Sequence, residues 1–138
     1  MRHNLSDVAA LMKDRRSFSP EAMGPRKVHR DIVEEILRAG TWAATHGMAQ
    51  PWRFTVFSGE GLNVLREGLP QWYASHVGPD KVNEARVAKF KARFDACNCV
   101  IGLGRVHDPE GRISEEDNAW AVAAAVQNMH LMLSLIHI

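Results

Sequence analysis

Two stretches of this chain carry side chains whose types and spacing could do chemistry. In Arg15-Arg16-Ser17, two guanidiniums and a hydroxyl stand where a first helix should end, beside backbone N–H groups. That donor set suits a phosphate or a carboxylate. The plain alternative is a pair of solvated arginines whose charge complements a helix C-terminus. The second stretch runs from Thr41 to Phe57, where a helix end of small residues passes through a polar loop into a strand. A loop held between two rigid elements can present a ligand site. His46 lies in that loop, either as a surface or capping histidine or as a ring against a ligand edge. Gln50 offers both a donor and an acceptor. It precedes Pro51, so its backbone is expected to be extended.

Other candidates are weaker. Cys97 and Cys99 read as buried structural thiols within a strand. No further Cys or His pair stands at zinc-ligand spacing. Gly102-Leu103-Gly104 lacks the third glycine and the following helix of a dinucleotide fingerprint. Those glycines are expected instead to let another backbone come close.

The elements that must position these groups follow from periodicity. Residues 6–14 read as a helix capped by Ser6, with Asp7 at its positive end and an apolar stripe of Val8, Leu11 and Met12. Pro20, Gly24 and Pro25 mark residues 18–27 as loop. Residues 28–43 carry Val28, Ile32, Val33, Ile36, Leu37 and Gly40 on one helical face. Pro51 opens a strand, Trp52 is core, and Arg53–Phe57 continue to the Ser58-Gly59 break. Residues 61–77 are helical, with Pro70 expected to kink or split them. After Gly78-Pro79-Asp80 a further helix runs to about Phe94. Its Ala, Lys, Arg and Glu content outweighs a short strand-like alternation. Residues 97–105 are a second strand, largely buried. Ser114-Glu115-Glu116-Asp117 begins the last helix with a capping-box-like signal. That helix is apolar almost all round and is expected to be buried on every side. Its small face at Ala119, Ala123, Ala124 and Val126 suits another helix.

The 138 residues suit one domain over 1–138, with a mixed α/β (α+β) composition. A net charge of +1 implies no polyanion partner, so the basic helix near Lys89 reads as a solvated face. No apolar run approaches the ~20 residues of a membrane span. Met1-Arg2-His3-Asn4 does not open an export signal, so the expected compartment is cytoplasmic. From Leu133 to Ile138 the apolar helix runs on without a stop signal. The chain therefore reads as cut at its C-terminus, with strands expected downstream and about 133–138 set aside as a candidate non-native tail.

In order, Arg15-Arg16-Ser17, Ala39-Gly40-Thr41-Trp42-Ala43, Thr45-His46, Gln50-Pro51-Trp52-Arg53-Phe54 and Gln127-Asn128-Met129 resemble the flavin-dependent nitroreductase superfamily, in its short single-domain NAD(P)H nitroreductase branch. The resemblance covers the chain to about Leu133. It implies a mostly antiparallel central sheet flanked by helices, incomplete here, in a homodimer with FMN at the subunit interface. It implies that Arg15, Arg16 and Ser17 bind the FMN phosphate and ribityl chain. Trp42, Thr45 and His46 would approach the flavin from the partner subunit. It further implies an enzyme that passes a hydride from NAD(P)H to FMN and then to a nitro, quinone or other small organic acceptor. The positive charge of Arg15 or Arg16 would favour the reduced flavin, and no general acid is nominated. Ala44-Thr45 stands where the family often has Pro-Ser, Met48 where it often has Asn, and Ser19 where it usually has Arg. Those departures keep a second reading open, a non-catalytic flavin- or ligand-binding dimer of the same fold. Dehalogenating and flavin-fragmenting activities on this scaffold depend on residues not assignable from the sequence.

Overall fold

The computed structural model describes residues 4–136. The reading of Met1-Arg2-His3 and the last two residues of the candidate tail lie outside that range. The chain packs as two compact units, one formed by residues 4–17, 29–54 and 103–136, the other by Phe18–Val28 and Thr55–Gly102. Helices α1 (Leu5–Asp14), α2 (Arg30–Thr41) and α5 (Glu115–Leu135) belong to the first; α3 (Gly61–Val77) and α4 (Glu84–Ala96) belong to the second. Strands β1 (Trp52–Ser58) and β2 (Cys99–Arg105) pair as a two-stranded sheet and divide between the units. In the first unit Gly104 lies against Arg53, and the Val106 N–H donates to the Pro51 carbonyl at 2.8 Å. One strand number rises as the other falls, so the pair is antiparallel.

The core of the first unit is the seam between α2 and α5. Val33, Ile36, Ala39 and Gly40 of α2 are buried at the predicted helical spacing, and so are Ala121, Ala125 and Met129 of α5. Ala43, Trp52, Ala121 and Ala125 form one cluster, with Phe54, Val122 and Ala124 against it. Trp52 is core, as its position after Pro51 suggests. Gly40 has no side chain for a packing reason: a Cβ there would stand 3.0 Å from Phe54 Cζ and 3.1 Å from Met129. Asn128 Nδ2 donates across the seam to the Ala39 carbonyl at 3.2 Å, which also accepts from the Trp42 N–H at the helix end.

In the second unit, α3 packs on α4. Buried Tyr73 meets Phe90 edge to face at 5.9 Å, with the Arg86 guanidinium 5.7 Å over its ring. Asn98 ties in the 18–28 segment by donating to the Arg26 carbonyl at 2.7 Å. That segment holds one turn of 3-10 helix at Pro20–Ala22 within otherwise irregular chain.

Several expectations are corrected. The cap of α1 is Asn4, whose Oδ1 accepts from the Ser6 N–H at 3.0 Å; Ser6 itself is already inside the helix. The helix begins one residue earlier than the periodicity suggested because the side chain that caps it is the Asn4 amide, ahead of Leu5. Helix α2 starts at Arg30, so Val28 precedes it. Pro70 does not split α3, which runs through it without a break. A proline removes its own N–H bond, here to the Arg66 carbonyl, and crowds that carbonyl, which bends a helix more readily than it divides one; buried Tyr73 anchors the turn that follows. Strand β2 is half-buried over Cys99–Gly102 and exposed over Leu103–Arg105, not largely buried. A two-stranded sheet leaves each strand an unpaired edge. Cys97 caps α4 rather than lying in β2, and both thiols are half-buried, with burial pushing their pKa up. Helix α5 is not covered on every side in this chain: Trp120 is 63% exposed, and Ala119 and Ala123 are exposed. The face that packs on α2 is Ala121, Ala125 and Met129, because α2 takes up one helical stripe.

Ser114 does cap α5. Its hydroxyl accepts from the Asp117 N–H at 3.0 Å and donates to Asp117 Oδ2 at 2.8 Å. Ser114→Ala should lower unfolding free energy by about 1 kcal/mol in urea denaturation, the usual value of such a cap. An unchanged midpoint would show that the cap contributes nothing.

Candidate functional site

The loop between α2 and β1 is shaped by three left-handed residues: Gly47 (φ 55°), Met48 (φ 56°) and Gln50 (φ 45°). Gly47 meets two demands, since a Cβ there would also approach Ile113 Cδ1 at 3.2 Å. Gln50 is therefore not extended, despite the proline that follows. Its N–H donates to Thr45 Oγ1 at 3.2 Å, closing the loop on itself, and its carbonyl accepts from Arg53 Nη1 at 3.2 Å. Those two bonds offset part of the left-handed cost, which is about 1–2 kcal/mol for a residue with a Cβ.

The loop forms one wall of an open cavity of about 560 Å³, a size usual for small-molecule sites. His46, Met48 and Pro51 line it from this loop and Arg53 from the strand. The 106–113 turn, with His107, Asp108, Arg112 and Ile113, and Asn118 of α5 complete the lining. Asp108 organises that turn. Its carboxylate accepts from the N–H groups of Glu110 (3.1 Å), Arg112 (2.9 Å) and Ile113 (3.1 Å). These bonds, that from Glu110 foremost, hold its carboxyl below the usual carboxylate range. A group depressed in the folded state stabilises above its unfolded pKa, about 3.9 for Asp. The contribution fades as pH falls through that value and on through the lower folded one. The protection of the 110–113 amides, measured as exchange relative to the intrinsic rate at each pH, should fall over that acid window and in Asp108→Ala at neutral pH. Protection unchanged by either would show that Asp108 does not order the turn.

Both segments are tied to the first turn of α5. His46 Nδ1 lies 3.5 Å from Asp117 Oδ2. Glu115 pairs with His107 and Arg105, and His107 before Arg105 holds its carboxyl below the usual range.

The six residues singled out from the sequence fall into separate places. Arg15 ends α1 and donates through Nη1 to Ser17 Oγ at 3.1 Å. Arg16 Nη1 donates to the Lys13 carbonyl at 2.6 Å and the Arg15 carbonyl at 2.9 Å. Among the described residues neither arginine pairs with a carboxylate. Trp42 caps α2 and is 69% exposed. Thr45 holds the loop closed through Gln50. His46 alone of the six lines the cavity; Arg15, Arg16, Ser17 and Trp42 do not. Sequence reasoning passed over Arg53, His107, Asp108 and Asn118 as site residues. Asp108-Pro109-Glu110-Gly111 is legible as a turn, and an amide entering an apolar helix was a signal for Asn118.

A mixed helix-and-strand fold with a small antiparallel sheet and this ordered set of loop motifs place the chain in a class: it belongs to the Nitroreductase family, whose family model matches residues 12–136. Among individual proteins, it is 35% identical over 91 residues to YdjA of Escherichia coli K12, named as an NAD(P)H nitroreductase; the match covers 62% of this chain and 46% of YdjA. The chain thus spans about half the length of the curated relatives it matches. A nitroreductase-like protein of Bacillus cereus superposes with a TM-score of 0.75 at 24% identity, covering 99% of this chain and 68% of that one. A Desulfovibrio desulfuricans nitroreductase solved with FMN gives 0.66 at 24% identity, covering 98% and 65%. At that identity the structural likeness speaks for the fold. Among the described residues, no helix is long and apolar enough to cross a membrane.

Proposed function

We propose that this chain is part of an FMN-dependent NAD(P)H oxidoreductase of nitroreductase type, a cytoplasmic homodimer with FMN at the subunit interface. The observation that carries the reading is the cluster Arg15-Arg16-Ser17: two guanidiniums and a hydroxyl at a helix end, with no carboxylate taking either cation among the described residues. Such a donor set fits a phosphate monoester and the hydroxyls of its chain. Family membership, the nicotinamide named for YdjA and the FMN named for the Desulfovibrio protein support the choice of cofactors. When bound, FMN would supply the redox chemistry between NAD(P)H and a small nitro, quinone or similar acceptor.

The protein's part is binding and orientation. Arg15 and Arg16 would neutralise the phosphate, and Ser17 would donate to the phosphate or ribityl oxygens. Thr45 shapes the loop, and His46, held by Asp117, and exposed Trp42 would reach the flavin of the partner subunit. Met48 favours the second reading, a binding dimer without turnover. It is 76% exposed, and its thioether cannot reproduce the hydrogen bonds of an amide to a flavin edge.

The test is a visible absorption spectrum of the purified chain after incubation with FMN and desalting, followed by NADH and NADPH oxidation with a nitroarene or a quinone. Retained flavin with turnover is expected. Retained flavin without turnover would select the binding dimer, and no retained flavin would overturn the site assignment for this chain.

A further inference from the structure

The cavity between the 46–51 loop and the 106–113 turn holds polar groups that the proposed flavin site does not use. Most charges at its rim are already matched. His46 faces Asp117, Arg112 faces Glu110 at 3.2 Å and Asp108 at 3.8 Å, and His107 pairs with Glu115. Asp108 accepts from three backbone N–H groups. Two groups remain. Arg53 has no carboxylate partner among the described residues. Its Nη1 donates to the carbonyls of Gln50 and Trp52, at 3.2 Å and 2.8 Å, which leaves its other nitrogens as donors. Asn118 is 2% exposed, yet its Oδ1 has no hydrogen-bond partner among the described residues. A buried amide oxygen without a partner is an uncommon and costly feature.

We propose that this cavity is a binding site for a small hydroxyaryl carboxylate. The carboxylate would pair with Arg53, whose planar fork matches it in two hydrogen bonds. The hydroxyl would meet the Asn118 amide. An amide presents its nitrogen or its oxygen by turning about its last torsion, and a hydroxyl both donates and accepts, so it serves either end. The ring would rest on the apolar lining offered by Met48, Pro51, Val106 and Ile113.

The probes are the three hydroxybenzoate isomers, benzoate and phenol, titrated calorimetrically into the full chain with and without FMN. At least one isomer should saturate, about tenfold or more tighter than phenol, which lacks the charge-assisted pair. It should also bind more tightly than benzoate. Arg53→Met should weaken it about tenfold, and Asn118→Leu should abolish its advantage over benzoate while leaving benzoate itself unchanged. If either variant fails to fold, the ligand series on the unaltered chain decides, since phenol and benzoate each delete one of the two contacts. Saturation by no isomer, equal binding of phenol, or full retention in a folded Arg53→Met would overturn the proposal. Competitive displacement by FMN would also overturn it, by assigning the cavity to the flavin; binding with no FMN retained would leave this site standing alone.

Discussion

Met129→Ala should cost the first unit about 2–5 kcal/mol of unfolding free energy, the range for truncating a buried methionine. Met129 is 4% exposed and lies on the α5 face that packs on α2. Its Cγ and Sδ stand 3.1 Å from where a Cβ on Gly40 would sit, so the two positions share one volume. Two sites that compete for one space are not additive. Gly40→Ala gains helix propensity of about 1 kcal/mol but presses on Met129 and on Phe54 Cζ. With Met129 shortened, half of that pressure disappears, and the added methyl fills part of the void. Gly40→Ala should therefore be worth more in the Met129→Ala background than alone. Urea denaturation of the four variants measures the coupling. Additive changes would show that the seam is not packed through these two residues.

Arg15→Ala combined with Arg16→Ala should weaken FMN binding by roughly 100-fold or more, at about 1.5–3 kcal/mol for each hydrogen bond to a charged group. This expectation belongs to the proposed flavin site. The two arginines are unequal in their present contacts: Arg16 Nη1 is held by two carbonyls at the end of α1, whereas Arg15 reaches the Ser17 hydroxyl. Arg16 is thus held by backbone carbonyls and Arg15 by a neighbouring side chain. Replacement by lysine should recover only part of the loss, because an ammonium is a point charge without the planar fork. Flavin fluorescence titration at two salt concentrations reads both affinity and its electrostatic share. An unchanged dissociation constant in the double variant would remove these residues from the site.

Local rules account for what was legible in the chain. Helix α2 appears where Val33, Ile36 and Gly40 repeat at helical spacing, and all three are buried. The Ser114 cap and the strand after Pro51 follow from side-chain hydrogen bonding and ring geometry within a few residues. Where local rules failed, a competing contact decided. Gln50 is left-handed before a proline because its N–H finds Thr45 and its carbonyl finds Arg53. Asn4 takes the cap expected of Ser6 because its side-chain oxygen accepts from the Ser6 N–H, an orphan donor of the first turn.

By itself, then, the order of residues determined the family, the run of helices and strands, and the chemical types at Arg15, Arg16, Ser17 and His46. Those properties depend on near neighbours and on which side chains are present. Tertiary structure alone decided which face of α5 packs on α2, that Arg53, Asp108 and Asn118 meet around one cavity with His46, and that the Asn118 oxygen is left without a partner among the described residues. The physical reason is that such a site is assembled from residues far apart in the chain. Which charges cancel there, and which remain for a ligand, depends on pairings that no local spacing encodes.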